Sequence, residues 1–163
     1  MTTVNSLVAP EVAALFNPAF MGLVARRAVE GATIEGSNGL PLELVIVSSG
    51  IAVAQDLRQS LTMTTATHFT SWLVANPEVG VLSAQRIAAI APLARAGILF
   101  ALQHDLVVLE GSNLVLGEHG PTKKVSASSS EVANIQKAAI YLGRWLSRQG
   151  KPSYVLALLG VTP

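Results

Sequence analysis

Histidines, carboxylates and hydroxyl side chains are the groups in this 163-residue sequence whose chemistry could support catalysis. His68, His104 and His119 each stand alone, without a second histidine or an acid at a metal-ligand spacing such as H-E-x-x-H. The serines form no G-x-S-x-G elbow, and only Asp56 and Asp105 are available as aspartate partners for a histidine. Cysteine is absent, which excludes a cysteine nucleophile and a Cys-ligated metal. The sequence therefore predicts no catalytic residue, no metal site and no enzymatic activity.

One segment superficially resembles a phosphate-binding loop, between Gly143 and the Gly150-Lys151 pair. Six residues separate the two glycines where a P-loop has four, and Pro152 stands where the loop needs a magnesium-binding Ser or Thr. A predicted helix rather than a strand precedes it. We therefore expect no nucleotide and no other cofactor to bind this chain.

Apolar residues are abundant and charged residues are scarce. Half of the residues are hydrophobic and 13% are charged, whereas a globular domain usually has about 25% charged residues. The length suits one domain with a buried core, which we assign to residues 1–163. Because so few charges remain for the surface, we expect an obligate complex subunit or a homo-oligomer that is poorly soluble or self-associated alone.

The charges are distributed unevenly along the chain. Residues 1–120 contain five arginines against nine acids, whereas residues 121–163 contain six lysines and arginines against one acid. A basic segment of this kind contacts nucleic acid or an acidic protein, or it forms a solvated helix face. These alternatives stay open at this point.

The N-terminal part, residues 1–76, has a helical pattern. Val8–Leu15 is a short apolar segment with room for one or two helical turns, and Asn17-Pro18 begins a helix that runs to Glu30. Leu40–Ala54 is compatible with a buried strand or a buried helix, and we favour a helix from Pro41. Its apolar run is too short and interrupted to span a membrane. A Thr-rich loop over residues 62–67 leads to a helix that ends at Asn76-Pro77.

Residues 78–116 have the order of a winged helix-turn-helix. One apolar helical pattern reaches Ile90, Pro92 begins a second helix that runs to His104, and Leu106–Leu116 is a β-hairpin around Glu110–Asn113. The second helix occupies the position of a recognition helix, and the hairpin that of the wing. The predicted fold class is thus mainly α with a small β-hairpin, and contains a winged helix-turn-helix-like element.

That second helix is poorly equipped to recognise DNA. Arg95 is its one certain cation, and the segment from Ala94 to Ala101 offers almost no donors to base edges. Winged helices also serve as protein docking modules, which the low charge of this chain favours. A winged-helix DNA-binding transcriptional regulator remains the alternative function.

The C-terminal helix, residues 130–149, has two distinct faces. After a polar connector, Ser130 is the expected cap, and an apolar stripe faces the body of the protein. Tyr154–Val161 is an apolar tail that we expect to dock on the body or on a partner. On the opposite face of the helix we predict a partner-binding stripe, formed by Lys137, Tyr141, Arg144 and Arg148.

Seven segments taken in order resemble the middle component of prokaryotic three-component ABC systems. They span nearly the whole chain, and each is a packing motif that gains specificity from the ordered combination. The segments are Phe16-Asn17-Pro18-Ala19-Phe20, Leu40-Pro41-Leu42, Ser71-Trp72-Leu73, Arg86 with Ala91-Pro92, Gly97-Ile98-Leu99-Phe100-Ala101-Leu102, Leu142-Gly143-Arg144-Trp145 and Leu159-Gly160-Val161-Thr162-Pro163.

The resemblance implies a non-enzymatic adaptor encoded beside an ATPase of the SMC or Rad50 type and a variable effector. Systems of this kind look like conflict or antiphage modules, in which the ATPase senses nucleic acid and the middle component relays its state. The implied partners are therefore the ATPase and an effector protein, with indirect or weak nucleic-acid contact as an open alternative. No membrane partner is implied, and the expected location is cytoplasmic.

Overall fold

The computed structural model describes residues 17–127 and 129–162. Seven helices and three short strands are present in these ranges, and the predicted segment Val8–Leu15 lies outside them. In chain order the elements are α1 Pro18–Ile34, β1 Leu40–Pro41, α2 Leu42–Val53, α3 Gln55–Gln59, α4 Phe69–Ala75, α5 Pro77–Gln103, β2 Val107–Glu110, β3 Asn113–Leu116, α6 Ser130–Leu146 and α7 Pro152–Leu159. The fold is mainly helical, as predicted.

Helix α1 begins as predicted and ends later than predicted. The side-chain oxygen of Asn17 accepts a hydrogen bond from the N–H of Ala19 at 2.9 Å, and Pro18 occupies the first helical turn. The helix continues past Glu30 to Ile34, because Gly31 and Ala32 are buried in the same interface as the earlier turns. It is the central helix of the fold.

The segment Leu40–Ala54, which the sequence left open between strand and helix, contains helix α2. This confirms the favoured assignment. Nine of its twelve residues are buried, so neither a helical stripe nor a strand alternation is visible in the sequence. The hydroxyl of Ser49 donates to the carbonyl of Val45 at 2.9 Å, which allows a polar side chain to lie in this core. Glu43, in the first turn of this helix, is exposed.

The predicted helix break at Pro92 is wrong, because α5 is one helix from Pro77 to Gln103 with Pro92 inside it. A proline in a helix interior removes one hydrogen bond and costs about 3 kcal/mol. Buried side chains on both sides of the proline, including Ile87 and Ile98, pack the two halves against α1 and α2. This burial outweighs the local cost.

The predicted hairpin is confirmed. Strands β2 and β3 are antiparallel, with Glu110 opposite Asn113 across a turn in which Gly111 has a φ of 62°. A third strand, β1, pairs with β3 through Leu40 and Leu114, giving the order β1-β3-β2. The description of this region as a winged helix-turn-helix stays a prediction.

Two pairs of glycines let the long helices approach α1 from different sides. A Cβ at Gly97 of α5 would overlap Met21, and a Cβ at Gly143 of α6 would overlap the carbonyl oxygen of Ala28. Gly22 and Gly31 of α1 make the reciprocal contacts with α5 and α6. Helix α1 is therefore packed between the other two long helices.

The C-terminal part corrects one prediction and confirms another. Ser129, not Ser130, caps α6 by accepting a hydrogen bond from the N–H of Val132 at 3.3 Å. The apolar tail forms helix α7, and its side chains Val155, Leu156 and Leu159 are buried against the body.

Candidate protein interaction surface

The structure distributes the four predicted partner-binding residues between surface and core. Lys137 is exposed, and the side chains of Arg144 and Arg148 keep 42% and 51% of their surface in solvent. Tyr141 is only 5% exposed, so its predicted position on the outward face is wrong. Helix α6 is covered on more than one side, and the tyrosine ring lies under the loop that precedes α4.

The buried side chain of Tyr141 contacts the loop before α4 from the protein interior. Its hydroxyl donates to the carbonyl of Thr64 at 3.0 Å and lies 3.4 Å from the hydroxyl of Thr62. Its ring stacks on Trp145 with the ring centroids 5.4 Å apart. Burial raises the pKa of the Tyr141 phenol, with a smaller opposing effect from the Thr62 hydrogen bond. The side chain therefore has a positioning role.

Two further side chains from α6 and the turn after it fix the same segment, which we name the threonine loop (residues 62–67). The indole N–H of Trp145 donates to the carbonyl of Thr67 at 2.7 Å. Arg148 donates to the hydroxyl of Thr65 at 3.1 Å. A cluster of buried aromatic rings supports these contacts, in which Phe69, Trp72 and Trp145 lie 5.2 to 5.5 Å apart. Three side chains thus hold the loop through four of its residues, Thr62, Thr64, Thr65 and Thr67.

Met63 is the large apolar residue that the threonine loop exposes to solvent. Its φ is 60°, a left-handed conformation that side chains other than glycine rarely adopt. Its side chain is 52% exposed although it is large and apolar. Strained backbone of this kind persists only where the surroundings hold it, and it is concentrated at functional sites.

Glu35 connects the two arginines to the end of α1. Its carboxylate lies 2.9 Å from Nε of Arg144 and 3.9 Å from Nη1 of Arg148. One carboxylate thus faces two guanidinium groups, which leaves an excess of positive charge. The neighbouring Ile34 is 63% exposed. We name the combination of the threonine loop, Ile34, Glu35, Arg144 and Arg148 the arginine-loop surface.

The predicted recognition segment exposes the donor side chains Arg95, Gln103 and His104 and buries its small central residues. Ala94, Gly97, Ile98 and Ala101 are buried against the core. Its exposed large apolar side chain is Leu99, at 60%. The expectation that the segment is unsuited to reading base edges stays a prediction.

Two arginines of α1 have roles that the sequence analysis missed. Arg26 donates hydrogen bonds to the carbonyl oxygens of Leu106, Gly117 and His119 at the base of the hairpin. Arg27 is 2% exposed and binds Gln136, Glu30 and the carbonyl of Thr122. The available signal was the position of Arg27 within an otherwise apolar helical stripe.

Two properties of the described residues bear on ligands and membranes. No group of three or more metal-binding side chains occurs in the part of the chain that the structure describes. Helix α5 is long and apolar enough to cross a membrane by length and composition, with 28% of its most apolar window buried. A core helix passes the same test, so this property assigns no location.

A comparison with protein families gave one match. The family described as ABC-three component (ABC-3C) system Middle Component 3 matches residues 5–163. No curated protein and no solved structure matched the chain.

Proposed function

Because the chain belongs to the Middle Component 3 family of ABC-three component systems, we propose that it is a non-enzymatic adaptor linking an SMC-like ABC ATPase to an effector protein. Its role would be to bind both components and to relay the state of the ATPase. The proposal extends to an antiphage or conflict function in the cytoplasm.

The arginine-loop surface is the observation that carries the proposal. It combines a large exposed apolar side chain, Met63, with two arginines that share one carboxylate. Arginine and methionine are enriched at protein interfaces. Because the loop is already ordered by Tyr141 and Trp145, little conformational entropy would be lost when a partner binds.

The expected partner segment follows from this chemistry. It carries an apolar pocket for Met63 and at least one carboxylate that binds Arg144 or Arg148 in competition with Glu35. Charge-assisted hydrogen bonds of guanidinium to carboxylate are strong and directional. We therefore expect complex formation to weaken as the salt concentration rises.

The adaptor proposal is tested by measuring capture of the ATPase and effector components by the purified chain. We expect each component to bind in the absence of the other. Substituting Met63 by Gly removes the side chain and relieves the positive φ, so stability should change by less than about 1 kcal/mol. Binding of one component should nevertheless weaken at least tenfold, as measured by calorimetry.

A matched control separates this effect from a general loss of apolar surface. Leu109 is 50% exposed, close to the value for Met63, but lies on the hairpin. Leu109→Ala should leave binding unchanged, and the pair Arg144→Gln with Arg148→Gln should weaken it. Capture of neither component would refute the adaptor function, and full binding by the Met63 and arginine variants would place the interface elsewhere.

A further inference from the structure

A groove of about 500 Å³ lies alongside α5, between that helix, the first turns of α2 and the end of α7. Its walls are largely small or apolar, and include Ile46 and Val47 of α2, Ala88 and Pro92 of α5, and Leu156 and Val161 near the C-terminus. This groove is distinct from the arginine-loop surface, because α1 lies between α5 and α6.

The exposed side of α5 extends the groove into an apolar stripe. Val81 and Leu99 are 78% and 60% exposed, and the exposed positions between them include the small residues Ala88, Ala89 and Ala96. Exposed apolar stripes of this length on a helix mark interaction sites. Small residues near the centre of the stripe allow a second helix to approach closely.

Two opposite charges border the groove, Glu43 on α2 and Arg95 on α5. Both residues are exposed, and within residues 17–127 and 129–162 neither forms an ion pair. The groove is therefore bordered by one negative and one positive side chain. A partner that complements it must carry one acid and one base in the reverse arrangement.

We propose that a second copy of this chain binds in this groove, with the two α5 helices antiparallel and Arg95 of each copy paired with Glu43 of the other. In a two-fold interface residue i contacts residue j and j contacts i, so one acid and one base form two identical ion pairs.

The available area indicates a reversible dimer. Helix α5 has 27 residues, which at a rise of about 1.5 Å gives a strip of about 40 Å by 10 Å, or about 400 Å² per copy. Stable interfaces bury about 800 Å² per partner. The walls of the groove on α2 and α7 supply part of the remainder. This dimer is independent of the adaptor proposal.

The first test is the mass of the wild-type chain by sedimentation equilibrium, from about 1 to 200 μM, a range suited to a weak interface. We expect the mass to rise from 17.0 kDa toward twice that value. A monomer throughout this range overturns the proposal. The proposal is also overturned if the groove binds only another component of the system and never a second copy of this chain.

Charge reversal then tests the proposed pairing. Arg95→Glu and Glu43→Arg should each raise the dimer Kd at least tenfold, because each places like charges opposite one another at two sites. Mixing the two single variants should restore dimerisation as a heterodimer, because both contacts in the mixed pair are between an acid and a base. The double variant, with both changes in one chain, should dimerise on its own, because both of its contacts are again between Glu and Arg.

The double variant distinguishes a lost contact from a lost fold. Glu43 lies in the first turn of α2, where an arginine is unfavourable for the helix dipole, so circular dichroism must accompany each variant. Arg86→Glu is the matched control, because it reverses a charge on the same helix that faces Asp56. This control should leave the Kd unchanged. Failure of the double variant to recover the dimer, with all variants folded, overturns the assigned contact.

Discussion

At the scale of single residues, Tyr141 illustrates how spacing alone misplaces a side chain. Its interval from Lys137 and Arg144 puts it on one helix face with them, but the residue is buried and binds the backbone of the threonine loop. Helical spacing gives the direction of a side chain, and it does not give what the rest of the chain places over it. The residue serves the predicted surface indirectly, by supporting the loop.

Removing the Tyr141 hydroxyl should loosen the threonine loop. Tyr141→Phe keeps the ring stacking on Trp145 but loses the donor to Thr64, so we expect a loss of about 1 kcal/mol in the free energy of unfolding. Hydrogen exchange of the loop amides should become faster than in the wild type. Tyr154→Phe is the control, because Tyr154 is 47% exposed and should leave both measurements unchanged. Equal exchange in the two variants would contradict the positioning role.

Asp56 gives a pH-dependent prediction. The hydrogen bond from Arg86 lowers its pKa below the ordinary value of 3.8. The ionised carboxylate therefore stabilises the fold above pH 3.8, and this contribution is lost as the pH falls through the lowered native pKa. Because both side chains are about 40% exposed, the effect should not exceed about 1 kcal/mol. Arg86→Gln should move the pKa measured by NMR back toward 3.8.

At the scale of elements, the range over which a signal acts explains which predictions succeeded. The start of α1, the helix over residues 42–53 and the hairpin were predictable, because caps, proline position and turn residues act locally. The continuity of α5 through Pro92 was not predictable, since it depends on core contacts on both sides of the proline. Strand β1 has two residues and depends on its pairing with β3.

Two glycines of α5 should respond to the same substitution in opposite directions. Gly97→Ala should lower the free energy of unfolding by more than about 2 kcal/mol, because the new methyl group would overlap Met21 of α1. Gly80 has open space around its Cβ position, so Gly80→Ala should raise stability by about 0.5 to 1 kcal/mol through helix propensity. Urea unfolding of the two variants checks both signs. Equal effects would contradict the close approach of α5 and α1.

At the scale of the whole molecule, the two interaction surfaces are separated by the core. The arginine-loop surface is built on α6 and the loop before α4, whereas the groove is built on α2, α5 and α7. Variants at distant positions usually have additive effects. Loss of partner binding and loss of dimerisation are therefore separately measurable in one chain.

The candidate surface was only partly predictable from the sequence. Lys137, Arg144 and Arg148 were identified by charge and spacing and are exposed or partly exposed. Met63 and Glu35 were missed, because a left-handed φ and a contact between α1 and the end of α6 depend on tertiary structure. The two arginines of α1 were counted as charges, whereas their hydrogen bonds join distant parts of the chain.

The contacts of Arg26 and Arg27 have a consequence for how related sequences can diverge. The two guanidinium groups reach four carbonyl oxygens, those of Leu106, Gly117, His119 and Thr122. Every residue type supplies a backbone carbonyl, so this anchorage is indifferent to the side chains of the anchored segment. Homologous chains can therefore exchange the exposed side chains at His119 and Thr122 while the path of the backbone between the hairpin and α6 is kept. Gly117 is excepted, because a Cβ there would overlap the carbonyl oxygen of Asp105.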